Sequence, residues 1–165
     1  MEDNGNSTLR DPQSYIGYVV GGALKDVISA RLDVAPQTVQ EGAFVVIQSG
    51  TWLFYGLTTD LVLGSTDPRF ADEKSEERLP AWLAAQLHGQ TLFTNLSILP
   101  AVMVDRGPEY DDPHYDEWIK NHPDMPVPMM VKTVPSHHAK VYLASPNDIQ
   151  DIFGKTSDPK NFVIG

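Results

Sequence analysis

Apolar and polar residues alternate with a period of two from Tyr15 onward, and that period predicts strands. YIGYVVGG, residues 15–22, reads as a strand with Ile16, Tyr18 and Val20 on one face, ended by Gly21-Gly22. VISARLDV alternates more cleanly: Ile28, Ala30, Leu32 and Val34 point one way, Ser29, Arg31 and Asp33 the other. This is the pattern of an antiparallel sheet with one wet face. AFVVIQ and WLFYGLTTDLVL follow, separated at Ser49-Gly50 by a predicted hairpin turn. In the second of these, Leu53, Tyr55, Leu57, Thr59, Leu61 and Leu63 would line one face of a long strand. Gly56 is placed to let that strand bend, as small barrels require at their corners.

The pattern then breaks. Residues 65–78 read as a charged loop, and LPAWLAAQLH changes to helical spacing, with Leu79, Trp82, Leu83 and Leu87 on one stripe. Pro80 falls near the start of that helix, where a missing N–H costs little. TLFTNLSILPAVMVD returns to strand character, with Pro100 marking an edge or a bulge. Residues 106–128 are crowded with prolines and acids and lack alternation, which predicts a long loop. MMVKTVP and AKVYLA supply the closing strands. Ser145 and Asp148, three apart, form a capping box for a short final helix that Gly154 ends. The expected fold is mostly β, a small antiparallel β-barrel with one or two short helices and a long inserted loop. Residues 1–14 would be a disordered lead, 15–154 the barrel with an insertion around 65–127, and 155–165 a linker.

At 165 residues the chain suits one domain with a real core, burying roughly 70% of the surface its unfolded form exposes. Its formal charge is −10, and its few cations are scattered from Arg10 to Lys160. Such a surface repels a phosphate backbone, which disfavours nucleic-acid binding by the chain alone. There is no cysteine, which removes disulfides and thiolate chemistry and fits a reducing compartment. The polar N-terminus is no signal peptide, and no apolar run is long enough to span a bilayer. The expectation is a cytoplasmic protein with no membrane contact.

Candidate chemistry falls away residue by residue. Gly154-Lys155-Thr156 ends like a phosphate-binding P-loop, but Ile149 stands where the first glycine must be, and Ser157-Asp158-Pro159 follows in place of a helix. His114, Asp116, His122 and Asp124 have no compact metal spacing, and the adjacent His137 and His138 point apart. The acids Asp105, Glu109, Asp111, Asp112, Asp116 and Glu117 lack the ligand spacing and central glycine of a calcium loop. GYVVGG is not a dinucleotide fingerprint, and no G-x-S-x-G elbow exists. No catalytic, cofactor-binding or metal-binding residue is expected. The acidic loop, however, carries Tyr110, Tyr115 and Trp118. Exposed aromatics on a loop are favoured anchors for a partner; alternatively the rings fold back and pin the loop to the barrel.

The order of IGYVVGG, VISARLDV and VQEGAFVVIQSGTWLFYGLTTDLVL resembles the opening of a HAS-barrel, the N-terminal barrel of HerA-type ATPases. VKTVPSHHAKVYLASPNDIQDIFG is similar to the end of that barrel. The resemblance covers residues 15–63 and 128–154; the helix near Trp82 and the loop 106–127 match no element of the family. It implies the non-catalytic N-terminal domain of a hexameric, DNA-translocating ATPase or helicase acting in DNA processing. ATP and Mg would belong to a motor domain that follows, with Gly154-Lys155-Thr156 a coincidence of the linker. The implied partners are the other subunits of the ring and a NurA-type nuclease, with DNA held only by the motor. An oligonucleotide-binding barrel and a small metal-dependent enzyme are the rival readings.

Overall fold

The computed structural model describes residues 10–65, 92–123 and 127–154. Its strands are β1 (Tyr15–Gly22), β2 (Ile28–Leu32), β3 (Phe44–Ser49), β4 (Trp52–Ser65), β5 (Leu92–Asp105), β6 (Met129–Met130) and β7 (Lys140–Leu143). Among the described residues two α-helices accompany them, α1 (Tyr115–Asn121) and α2 (Pro146–Phe153). Hydrogen bonding runs β2-β1-β7-β3-β4-β5, and β2 returns to pair with β5. These six strands close an antiparallel barrel, as the alternation predicted, and closure hides their edges. The predicted helix with Leu79, Trp82, Leu83 and Leu87, and the loop before it, fall largely outside the described residues.

β2 behaves as its sequence says: Ile28, Ala30 and Leu32 are buried in the barrel core and Ser29 and Arg31 are not. β3 is apolar from Phe44 to Ile47, and both of its faces are covered at Val45, Val46 and Ile47. Val45 and Ile47 face the barrel core, while Val46 joins a second cluster on the outer wall with Leu53, Tyr55 and Val104. Ile152 of α2 packs on that outer cluster. The hairpin between β3 and β4 is one residue later than expected: Ser49 still pairs with Trp52, so Gly50 and Thr51 make the turn.

The face assigned to β4 is corrected. Leu53 and Tyr55 lie on the outer wall, and Phe54 is the residue that enters the barrel core. Thr58 pairs with Ile98 and Asp60 with Ser97, so Thr59 is an extra residue that inverts the alternation. Because side chains alternate with a period of two, one added residue exchanges the two faces. Leu61 therefore packs against the core, whereas Leu63 is 77% exposed. β5 makes the same inversion at Ala101, between Pro100 and Val102, so of the edge or bulge that Pro100 marks in the sequence the structure has the bulge. Ile98 before it and Met103 after it both face inward.

β1 carries two such irregularities, at Ile16 and Val20. The inward residues are thus Ile16 and Val19, and Tyr18 of the expected face is only half-buried. Gly17 is buried between its neighbours because a Cβ there would fall on the backbone carbonyl of Arg31. Of the expected closing strand MMVKTVP, only Met129 and Met130 are strand. The segment beyond runs irregularly to a turn at His137-His138, where His138 has a φ of 63°. Within the expected long loop the structure has a helix, α1, that strand alternation did not reveal.

Candidate functional site

The acidic loop is built by short-range hydrogen bonds that its sequence dictates. Arg106 N–H donates to Thr51 O at 2.8 Å, fastening the end of β5 to the β3–β4 turn. The Asp105 carboxylate accepts from Gly107 N at 2.9 Å, and that of Asp112 accepts from His114 N at 2.8 Å, each an aspartate closing a turn over the residue two positions on. α1 then begins, with Asp116 and Glu117 in its first turn and Lys120 in its last, which complements the helix dipole.

α1 lays Trp118 over Gly107. That glycine has a φ of 69°, and a Cβ on it would lie 2.5 Å from the indole, so both backbone and contact require glycine. His122 stacks on the same indole, with ring centroids 4.7 Å apart, and its Nδ1 is 2.9 Å from Trp118 O. Trp118 is accordingly half-buried. Tyr110 and Tyr115 meet edge to face at 5.1 Å, and Tyr110 is 77% exposed. The three aromatics picked out from sequence therefore stand together, with Trp118 fixed to the loop and Tyr110 open to solvent.

All three line an open groove of about 1110 Å³. Its floor includes Leu53, Tyr55 and Val104 of the outer cluster. Arg10 and the start of α2 also line it. Ser145 and Asp148 make the predicted capping box, with Ser145 N donating to the Asp148 carboxylate at 2.8 Å. Arg10 grips the same carboxylate with two bonds, at 3.0 and 2.7 Å. Its guanidinium also lies 5.8 Å from the centre of the Tyr142 ring.

Burial alone would push the Asp148 carboxyl up, but the hydrogen bonds from Arg10 and Ser145 outweigh it and hold it below the usual aspartate value. Burial likewise pulls Arg10 down and Asp148 more than restores it. Sequence reasoning placed Arg10 in the polar lead, because an isolated arginine between Leu9 and Asp11 carries no sign of a partner 138 positions away. Asp148 was legible as a cap but not as an ion-pair partner.

Of the remaining candidates, Asp124, Lys155 and Thr156 lie outside the described residues. Among the described residues no three His, Asp or Glu side chains converge to hold a metal. His138 sits 5.6 Å from the Tyr18 ring, in the turn before β7. Gly154 caps α2, donating its N–H to Gln150 O at 2.8 Å, and it has a φ of 83°. Among the described residues no helix is long and apolar enough to cross a membrane. No protein-family model matches the chain, and no curated protein matches it significantly.

Proposed function

We propose that this barrel is a docking domain without catalytic residues of its own, belonging to a hexameric HerA-type ATPase that translocates DNA in the cytoplasm. The observation that carries the reading is the groove: Tyr110, Tyr115 and Trp118 all line it, mounted on a closed barrel. An aromatic-lined concavity on a rigid frame suits recognition of another protein. The strand order and glycines that resemble a HAS-barrel supply the family. In this reading the ring subunits and a NurA-type nuclease are the protein partners, and ATP, Mg and DNA belong to the motor. The barrel serves ring assembly and delivers the nuclease to translocating DNA.

The test mixes the purified chain with the NurA-type nuclease of the same organism and follows it by size exclusion with light scattering. A stoichiometric complex is expected, together with negligible affinity for a labelled single-stranded oligonucleotide at physiological salt. Nanomolar oligonucleotide binding without a nuclease complex would replace the proposal by an oligonucleotide-binding barrel. Stoichiometric metal in the purified protein, with hydrolytic activity, would replace it by the enzyme.

A further inference from the structure

The groove has a charge as well as a shape. Six carboxylates line it, from Asp11, Asp105, Glu109, Asp111, Asp112 and Asp148, against the two guanidiniums of Arg10 and Arg106. Arg10 is committed to Asp148, and the carboxylates of Asp105 and Asp112 are held by backbone N–H groups. Glu109 and Asp111, the sequence neighbours of Tyr110, are both exposed and line the same groove. Ile119 of α1, 44% exposed, adds an apolar side chain to the lining of the groove. An exposed phenol flanked by carboxylates suits one kind of side chain above others. A guanidinium can pair with a carboxylate through two bonds and stack its flat face on the ring.

Resting on the docking reading above, we propose that the groove takes a cationic segment of the partner protein. That segment presents arginine or lysine to Glu109 and Asp111, next to an aliphatic or aromatic residue seated against Tyr110 and Ile119. The net charge of −10 favours the same partner at a distance, drawing cations toward the domain and repelling nucleic acid. Two features then divide the work. Charge selects the partner and speeds encounter, while the rings and Ile119 hold it.

A phage-displayed library of linear peptides, selected on the whole chain, tests this with no partner in hand. The selected peptides are expected to be rich in arginine and lysine around an apolar residue, and to bind more weakly as salt rises. The double variant Glu109→Lys, Asp111→Lys should weaken them roughly tenfold or more, and Tyr110→Ala should weaken them as well. All three positions are exposed, so an unchanged melting curve confirms that each variant is folded. Peptides that lose binding with Tyr110→Ala but ignore the charge reversal would overturn the cationic chemistry and leave the groove as a docking site. Peptides indifferent to both, or a selection that yields no binder, would overturn the assignment of the groove itself.

Discussion

Arg10 and Asp148, 138 positions apart in sequence, close a two-bond ion pair that ties the entry of the chain to the first turn of α2. The pair sits beside the outer cluster beneath the groove, with side chains 15% and 9% exposed. It joins the two ends of the described fold. Both residues line the groove, so the pair fixes that part of its lining.

Asp148→Ala removes the ion pair and the helix cap together and strands the Arg10 charge in a mostly buried site. The expected loss is about 3 kcal/mol, the low end of what breaking a buried pair costs. The midpoint of urea unfolding measures it. A loss no greater than that of an ordinary surface substitution, about 0.5 kcal/mol, would show that the pair contributes nothing.

The same pair predicts a pH dependence. Asp148 has a lower value folded than its ordinary 3.8, so its contribution is complete above that value and is lost as pH falls through the folded one. Wild-type stability should therefore fall on acidification below about pH 4 more steeply than that of Asp148→Asn. Parallel curves for the two proteins would contradict the assignment.

Gly17 and Gly21 lie on the same strand and predict opposite outcomes. A Cβ on Gly17 strikes the Arg31 carbonyl across the β1–β2 pairing, whereas one on Gly21 meets nothing within 4 Å. Gly17→Ala should cost about 3 kcal/mol, as overpacking against immovable backbone does. Gly21→Ala should change stability by no more than about 0.5 kcal/mol. Thermal melts of the two variants side by side check the register of the strand that closes the barrel.

Trp118 rests on Gly107 and His122 and is half-buried, so its removal affects folding as well as any interface. Trp118→Ala is expected to cost about 2 kcal/mol, less than the roughly 3–5 kcal/mol of a fully buried tryptophan. A full core-sized loss in the melt would mean that the ring serves only to hold the loop.

The barrel was legible because strands such as β2 have one wet face, so the period of two survives in the sequence. Burial was legible only where that period runs unbroken, as in Ile28, Ala30 and Leu32. It failed at Thr59 and Ala101, where one extra residue exchanges inside for outside, and nothing in an isolated strand announces which residue that is. α1 was missed because its seven residues are too few to show a helical stripe among prolines and charges. Tyr110, Tyr115 and Trp118 stood out as aromatics in an acidic loop, which is a local signal. Arg10 did not, since its partner is set by the closure of the whole fold.

Tyr110 offers the most direct test, because it is 77% exposed and its ring meets Tyr115 of the same loop. Calorimetric titration of the NurA-type nuclease into wild type and Tyr110→Ala measures what that ring does. The docking account predicts an unchanged melting temperature and binding weaker by about 2 kcal/mol or more, the size of an interface hot spot. Equal affinity for the two proteins would contradict it.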